Sequence, residues 1–471
     1  MDALRSIMHG GEVVLIYYFF LLNGVYLFLS LVAFWDIHEH LLRNIYGGFE
    51  QFSRSPLTPP VSVIVPAYNE AVSIALTVNN LLHLDYMRYE VVIVNDGSTD
   101  GTLEELLKVF RLELDPVPVE MPLPTANIRG VYRSTAHHNL TVVDKENGGK
   151  SDALNAGLGL ARYPYFCSID ADAVLEADAL QRVMRPVLES AYRVIAVGGI
   201  IRVANDCGIE KGRVTEVRLS RAVLPVFQVI EYFRAFLCGR TGYSRFNALM
   251  IISGAFGLFE RELVVAVGGY RRGTVGEDMD LVTRLHAHMR EQGIRDYRVE
   301  FVPDPVCWTE VPSSVKVLTR QRRRWQRGLL EVLSEHPRML FNPRYGALGL
   351  FAYPFLFLFE GWGTLLEAFG YLLFVFGWAS GSLNADFMVA FLVVSILCGT
   401  LLSLTGVILG EMTPHPYPRL LDWLRLSAFA VIENLGYRQL VTVLRFWGTL
   451  DFVLNKGEWG SMERRGLAHR R

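Results

Sequence analysis

The feature that most constrains this chain is a set of long apolar stretches that lack charge. Residues 13–35 and 387–410 contain no charged side chain, and each is long enough to cross the ~30 Å hydrocarbon core of a bilayer as a helix. Residues 347–378 are also apolar but hold Glu360 and Glu367. Ionisable groups at membrane depth usually face a protein interior or a water-filled path. The sequence therefore predicts a multi-pass membrane protein.

The composition agrees with a globular domain joined to membrane spans, because 51% of the residues are hydrophobic. The net charge of −2 provides no basic field for nucleic acid. We interpret residues 13–35 as an uncleaved span rather than a signal peptide, because the run is longer than an apolar signal core and lacks a small-residue cleavage site. Scattered cysteines without a CxxC pair, and the basic Arg43 and Arg54 after the span, favour a reduced, cytoplasmic domain.

Buried strands alternate with helical segments in the domain that follows. Residues 61–65, 89–94 and 165–169 are short apolar runs of the kind found in parallel sheets covered by helices on both faces. Ligands of such sheets bind at the carboxyl ends of the strands. The polar residues at these strand ends are Tyr68, Asn69, Glu70, Asp96, Asp170 and Asp172. The acidic strand ends predict a shared binding crevice.

The carboxylates of Asp170 and Asp172 are spaced one residue apart, so on extended backbone they point to the same side. Hard cations such as Mg²⁺ and Mn²⁺ prefer carboxylate oxygens together with the oxygens of a bound phosphate. The alternative is that this DAD tripeptide caps the next helix. With the other acidic strand ends nearby, the pattern favours a metal-diphosphate site.

Two further motifs carry charges suited to phosphate chemistry. Gly148 and Gly149 precede Lys150 and let the backbone approach an anion, although the sequence is not a GxxxxGKS phosphate loop. Glu277 and Asp278 lie at the first turn of a predicted helix, where the helix dipole favours negative charge. Helix capping accounts for one of these acids. Three of the four residues 277–280 are acidic, which favours a functional role for at least one carboxylate.

Residues 320–327 place five arginines around Trp325. Binding of anionic lipid is one interpretation of such a cluster. The indole favours another, because it offers a flat face to a sugar ring while guanidinium groups hold phosphate. Residues 214–237 have helical apolar spacing and are interpreted as an interfacial helix, with ordinary packing as the alternative. Residues 420–453 span the membrane or lie along it, and residues 116–139 are predicted to be irregular.

In this order, the motifs VPAYNE, NDGSTD, NGGKSDALN, DAD, SGAF, GEDMD and QRRRW resemble those of membrane-embedded, processive members of glycosyltransferase family 2. That group contains the cellulose, chitin, hyaluronan and poly-N-acetylglucosamine synthases. The similarity covers residues 61–327 and the arrangement of the flanking spans. It implies an α/β fold, with a cytoplasmic GT-A (Rossmann-like) domain whose sheet is mostly parallel, flanked by transmembrane and interfacial α-helices.

The resemblance implies a role for each matching residue. The nucleotide sugar would be held by Tyr68, Glu70, Asp96, Lys150, Asp170 and Asp172. Asp172 would bind the metal, Mg²⁺ or Mn²⁺. Asp278 would be the general base, with Glu277 supporting it. The diphosphate and the acceptor would contact Ser253, Gly254, Gln321, Arg324 and Trp325. Trp459 more loosely resembles the tryptophan of a loop that covers the donor.

The expected organisation has five parts. Residues 1–36 form an N-terminal transmembrane helix, and residues 37–312 form the cytoplasmic glycosyltransferase domain. Residues 313–345 form an interfacial helix region with QRRRW. Residues 346–455 form the C-terminal transmembrane or interfacial helices, and residues 456–471 form a basic cytoplasmic tail. The expected location is the cell (inner) membrane.

The expected function is inverting β-transfer of sugar from a UDP-sugar to a growing polysaccharide, processive and coupled to export. UDP-GlcNAc is the preferred donor and UDP-glucose the next choice. The alternatives are a non-processive enzyme that glycosylates a lipid on the cytoplasmic face and a membrane scaffold with an inactive domain. Expected partners are the UDP-sugar, a polysaccharide or lipid acceptor, the bilayer and a small accessory membrane subunit, without nucleic acid.

Overall fold

The computed structural model describes residues 2–46, 55–116, 121–210, 213–381, 385–414 and 417–454. Trp459 and the predicted basic tail, residues 456–471, lie outside the described residues. An α/β domain built on one large sheet forms the centre of the described part. The first helix and the C-terminal helices pack against this domain.

The strands are β1 (Val61–Ala67), β2 (Tyr89–Asp96), β3 (Leu112–Leu114), β4 (Ile128–Ser134), β5 (Leu140–Lys145), β6 (Tyr165–Ile169), β7 (Val174–Leu175), β8 (Arg193–Val203), β9 (Gly208–Glu210), β10 (Arg213–Glu216), β11 (Phe256–Glu260) and β12 (Tyr297–Thr309). The helices of the first part are α1 (Asp2–Tyr46), α2 (Ile74–Leu82), α3 (Thr102–Phe110), α4 (Lys150–Leu160), α5 (Ala179–Glu189), α6 (Val223–Tyr232), α7 (Thr241–Arg245), α8 (Arg261–Ala266) and α9 (Glu277–Glu291). The later helices are α10 (Val315–Glu335), α11 (Tyr353–Phe355), α12 (Gly363–Ala379), α13 (Ala385–Leu392), α14 (Cys398–Met412), α15 (Leu420–Ile432) and α16 (Tyr437–Val453). Phe233–Arg240, Leu348–Ala352, Leu356–Gly361 and Val393–Leu397 are π-helical, and Pro337–Met339 and Pro343–Tyr345 are 3₁₀-helical.

The large sheet has the strand order β3-β4-β5-β2-β1-β6-β11-β8-β12-β7. Its three longest ladders, β8 with β12, β1 with β2, and β2 with β5, are parallel. Antiparallel ladders occur at both edges and around β11. Because the central strands are buried on both faces, they are nearly continuous apolar runs in the sequence. The predicted α/β class with a mostly parallel sheet is confirmed.

Three described helical segments are long and apolar enough to cross a membrane: Gly10–Asn44, Leu348–Ala379 and Asp386–Met412. This confirms the predicted transmembrane helices. The first segment also packs on the α/β domain, because Leu29 and Ile37 are fully buried in the main hydrophobic core.

Two sequence predictions of local structure are wrong. A single helix over residues 214–237 does not form, because Arg213–Glu216 is strand β10 and the helix begins only at Val223. Asp206 holds the intervening segment by accepting hydrogen bonds from the Ser220 hydroxyl at 2.6 Å and from the next backbone N–H at 3.2 Å. The stretch predicted to be irregular, residues 116–139, contains strand β4, which lies between β3 and β5 in the sheet and pairs with both.

For residues 420–453 the sequence allowed two arrangements, a helix that spans the membrane or one that lies along it. The segment forms two helices rather than one. The break lies at Gly436, whose φ of 143° is a conformation that favours glycine. The second helix, α16, packs closely on α10. The arginine-rich helix is therefore covered by the C-terminal end of the described chain.

Candidate active site

A cleft of about 1880 Å³ opens at the carboxyl end of the central strands and extends between the apolar helices. It collects most of the residues that the sequence predicted for the site. These lining residues are Glu70, Lys150, Asp170, Asp172, Ser253, Gly254, Glu277, Asp278, Gln321, Arg324 and Trp325. Tyr68 is 51% exposed and, like Asp96, is not among the residues that line the cleft.

Lys150 is the cation at the centre of the acidic wall. Its Nζ lies 2.5 Å from Asp170 Oδ1 and 3.8 Å from Glu277 Oε1, and it donates to the Gly254 carbonyl at 3.3 Å. Burial disfavours the charged form, but the carboxylates outweigh burial and raise the pKa of Lys150. The lysine therefore keeps its charge at neutral pH. Gly149, at φ 86°, begins helix α4 in a conformation that only glycine adopts without strain.

Asp278 is held by backbone amides. Its Oδ2 accepts a hydrogen bond from the Gly254 N–H at 3.2 Å, and its Oδ1 accepts one from the Met279 N–H at 2.8 Å. Both Asp278 and Glu277 lie in the first turn of α9, as predicted. Burial and the nearby charge of Asp278 raise the pKa of Glu277, while Lys150 opposes the rise. The two acids therefore have different environments, because backbone amides fix Asp278 whereas burial desolvates Glu277.

Asp96 lies beneath the glycine loop rather than in the lining of the cleft. Its carboxylate pairs with Lys145 Nζ at 2.5 Å and accepts the backbone N–H groups of Gly148 at 3.0 Å and Gly149 at 2.8 Å. In this position Asp96 fixes the loop that leads to Lys150. Any contact between this carboxylate and a nucleotide, which the family resemblance implies, remains a prediction.

Sequence reasoning missed Lys145, which is completely buried at the end of β5. Its Nζ also lies 2.7 Å from Asp152 Oδ1, and the two Asp152 carboxylate oxygens accept the Ala126 N–H at 3.1 Å. Arg272 forms a further ion pair with Asp152. The available signal was a lysine at the end of the short β-branched run 140–145, because a buried cation requires partners.

Asp170 and Asp172 follow β6, and both line the cleft. Burial, together with the charges of Asp170 and Asp172, raises the pKa of the Cys307 thiol, so both carboxylates are close to it. Two carboxylates beside a lysine offer the hard oxygen donors that Mg²⁺ or Mn²⁺ require, together with space for a phosphate. The residues present therefore fit the implied metal.

Another acidic group in the described chain, formed by Asp280, Glu335 and His336, also brings possible ligand atoms within 4.8 Å of one another. Asp280 is fully buried and paired with Arg284 at 2.8 Å, and it accepts a hydrogen bond from His336. Its charge is thus already compensated by the protein.

The arginines of α10 have separate partners. Arg322 pairs with Glu231 at 2.6 Å and Arg323 pairs with Asp451 at 2.7 Å. The Arg322 guanidinium lies 4.3 Å from the centroid of the Trp325 ring, so it covers part of the indole while 43% of that residue remains exposed. These ion pairs disfavour the interpretation of the whole cluster as a lipid-binding patch.

Helices α9 and α10 approach each other through two glycines. A Cβ at Gly328 would lie 3.0 Å from the backbone nitrogen of Gly276, and a Cβ at Gly276 would lie 3.0 Å from the Gly328 carbonyl oxygen. A side chain at either glycine would therefore require the facing backbone to move by a few tenths of an ångström. The approach sets the distance between the acid Asp278 and the helix that carries Trp325.

The cleft continues between the apolar helices, where its lining includes Glu360 and Glu367. Glu360 pairs with Arg445 at 2.6 Å. Glu367 accepts hydrogen bonds from the hydroxyls of Tyr18 at 3.0 Å and Thr442 at 2.9 Å. Both acids therefore face the protein interior, as expected for ionisable groups within apolar helices.

The chain is similar to known sequences over most of this region. Residues 62–120 match the family described as Glycosyl transferase family 2, and residues 165–404 match Glycosyl transferase family group 2. The poly-beta-1,6-N-acetyl-D-glucosamine synthases of Staphylococcus aureus (strain COL) and Staphylococcus epidermidis are each 29% identical to it over 274 residues, which are 58% of this chain and 55% of the relative. The chain thus spans about half the length of these curated relatives.

Among solved structures, the mannosyltransferase from Pyrobaculum calidifontis in complex with GDP-Man and Mn²⁺ is 18% identical, with a TM-score of 0.49 over 92% of this chain and 99% of that chain. Staphylococcus aureus TarS in complex with UDP-GlcNAc is 15% identical, with a TM-score of 0.38 over 81% of this chain and 92% of that chain. The match at residues 165–404 covers half of the chain. The chain belongs to glycosyl transferase family group 2.

Proposed function

We propose that this chain is a membrane-bound, inverting β-glycosyltransferase that adds sugar from a UDP-sugar to a growing polysaccharide. The observation that carries the proposal is a single cleft shared by Lys150, Asp278 and Trp325, which continues between helices long enough to cross a membrane. A charged nucleotide donor requires the charged part of the cleft, and a neutral chain of sugars requires a path between the apolar helices beside it. UDP-GlcNAc is the proposed donor, because the matched relatives are named poly-beta-1,6-N-acetyl-D-glucosamine synthases.

In the proposed mechanism, Asp278 accepts a proton from an acceptor hydroxyl as that oxygen attacks the anomeric carbon. The two backbone amides that bind its carboxylate fix its orientation. Such a positioned base contributes about 10²–10⁴-fold to the rate. The new bond forms on the face opposite the departing diphosphate, so an α-linked donor gives a β-linked product. Glu277 supports the base and Trp325 stacks against the acceptor sugar.

The departing nucleoside diphosphate gains negative charge that the site must stabilise. Lys150 and Arg324 both line the cleft, and the positive charge of each acts on Glu277. Asp172 and Asp170 would hold Mg²⁺ or Mn²⁺, which when bound neutralises diphosphate oxygens. Asp96 and Lys145 would act indirectly, because they hold the loop that presents Lys150.

Replacing Asp172 by Asn is expected to raise the concentration of Mn²⁺ needed for half-maximal transfer and to weaken UDP binding, both by about 10- to 100-fold. The reason is the loss of an anionic oxygen ligand. Rate against Mn²⁺ concentration, and UDP affinity with and without a chelator, measure the effect. Asp178→Asn is the matched control, because Asp178 pairs with Arg182 outside the cleft. UDP affinity that responds neither to Asp172→Asn nor to the chelator would contradict the metal role.

Replacing Gly328 by Ala is expected to lower kcat by about tenfold while leaving UDP affinity unchanged. The new methyl group must push α10 away from α9, which separates Trp325 from Asp278. Steady-state kinetics and UDP titration distinguish the two effects. Gly24→Ala is the control, because a Cβ at Gly24 meets no atom within 4 Å. A kcat within twofold of wild type would show that the rate of transfer does not depend on the distance between Trp325 and Asp278.

The proposal places the α/β domain in the cytoplasm and the chain in the inner membrane as a multi-pass protein, with the domain boundaries expected from the sequence. The deciding experiment incubates membranes containing the chain with individual radiolabelled UDP-sugars and Mg²⁺ or Mn²⁺. A ladder of polymer lengths from UDP-GlcNAc supports a processive polysaccharide synthase. A single-sugar lipid product supports the lipid glycosyltransferase instead, and no product from any donor supports the inactive scaffold.

A further inference from the structure

Arg240 ends the π-helical segment Phe233–Arg240 and lines the cleft together with Asp278. No motif in the sequence pointed to it. Its guanidinium lies over the ring of Phe236, 4.0 Å from the centroid, which fixes the side chain against one wall. π-Helical turns are frequent at functional sites, because the extra residue redirects a side chain.

Three other arginines that line the cleft form ion pairs with glutamates, whereas no ion pair of Arg240 is found among the described residues. Arg234 pairs with Glu433 at 2.6 Å, Arg322 pairs with Glu231 at 2.6 Å, and Arg445 pairs with Glu360 at 2.6 Å. The Nη1 atom of Arg240 is buried and has no hydrogen-bond partner among the described residues. An unsatisfied buried donor is costly to keep unless a ligand satisfies it.

The surroundings of Arg240 indicate which ligand approaches it. Burial lowers the pKa of Arg240 to about 10, and the charges of Asp278 and Tyr232 act in the opposite direction. Tyr232 also lies within electrostatic reach of Arg322, the residue that covers Trp325. Arg240 thus lies on the side of the cleft that holds the base and the tryptophan.

We infer that Arg240 is an acceptor-positioning residue whose free Nη1–H donates a hydrogen bond to an oxygen of the acceptor sugar. The inference rests on the proposed function. The oxygen is a neutral hydroxyl or acyl oxygen next to the hydroxyl that Asp278 deprotonates. Because one fixed donor recognises one neighbouring oxygen, Arg240 selects the hydroxyl that faces the base. The residue therefore contributes to acceptor specificity and linkage.

The test compares Arg240→Met, which keeps the apolar stem, with Arg240→Lys, which keeps a charged donor. The full chain is purified in detergent and supplied with UDP-GlcNAc, Mn²⁺ and a β-1,6-linked N-acetylglucosamine tetrasaccharide as acceptor. Arg240→Met is expected to raise the KM for the tetrasaccharide by about 10- to 100-fold, with UDP affinity within twofold of wild type. Arg240→Lys is expected to restore part of the loss.

Arg290→Met is the matched control, because Arg290 also stacks on an aromatic ring, 5.4 Å from the centroid of Tyr297, and lies outside the cleft lining. UDP affinity measured by titration shows that each variant is folded. An unchanged acceptor KM in Arg240→Met, or an equal loss of UDP affinity, overturns the inference while leaving the proposed function intact. If the wild-type chain fails to extend the tetrasaccharide from any UDP-sugar, the proposed function is overturned, and the role of Arg240 fails with it.

Discussion

Asp278→Asn is expected to lower the rate of sugar transfer by about 10²–10⁴-fold while UDP affinity stays within twofold of wild type. The amide is nearly isosteric, and its single oxygen can still accept one of the two backbone N–H groups, of Gly254 and Met279, that bind the carboxylate. It cannot accept a proton at neutral pH. The loss should therefore appear in kcat, as expected for an interaction made only in the transition state.

Glu104→Gln serves as the control for Asp278→Asn, because Glu104 is also an acid in the first turn of a helix, α3, but lies far from the cleft lining. Its kcat is expected to equal that of wild type. Normal turnover of Asp278→Asn would remove Asp278 as the base. Glu277, whose pKa burial raises, would then be the next residue to test.

Lys145→Met is expected to lower the melting temperature of the chain by roughly 3–5 °C, because breaking a buried ion pair costs about 3–5 kcal/mol and the unfolding entropy of a chain of this length is large. The substitution leaves the carboxylates of Asp96 and Asp152, both buried, without their shared cation. UDP affinity should fall as well, because Asp96 then no longer fixes the amides of Gly148 and Gly149. Thermal unfolding and UDP titration in detergent measure both effects.

Lys108→Met provides the comparison for Lys145→Met, since Lys108 is an exposed lysine on α3. We expect its melting temperature and its UDP affinity to match those of wild type. If Lys145→Met melted at the wild-type temperature and bound UDP normally, the buried lysine would not hold the glycine loop. Lys150 would then depend on other contacts for its position.

Many elements of the fold could be predicted from the sequence because their signals are local. The buried strands β1, β2 and β6 were visible as short apolar runs, and the three membrane-length helices as long ones. The prediction of one helix over residues 214–237 was wrong because the apolar spacing typical of a helix extends upstream of Val223, where the helix begins, as far as strand β10. Strand β4 was missed because residues 128–134 contain no continuous apolar run.

The site was predictable to a similar degree. Asp170, Asp172, Glu277 and Asp278 follow strand ends or begin a helix, so their place on one wall follows from local structure and the geometry of parallel sheets. The position of Asp96 did not follow in this way. Its cation, Lys145, lies 49 residues away in sequence, and only the pairing of β2 with β5 brings the two together.

The sequence by itself determined that apolar spans flank an α/β domain with acidic strand ends, since each of these features depends on neighbours within a few residues. The tertiary structure alone decided which charges are paired. It assigned carboxylates to Arg322, Arg323 and Arg445 and left Nη1 of Arg240 without a partner among the described residues. The physical reason is that ion pairing depends on distances of a few ångströms between residues far apart in the chain, and no local pattern records them.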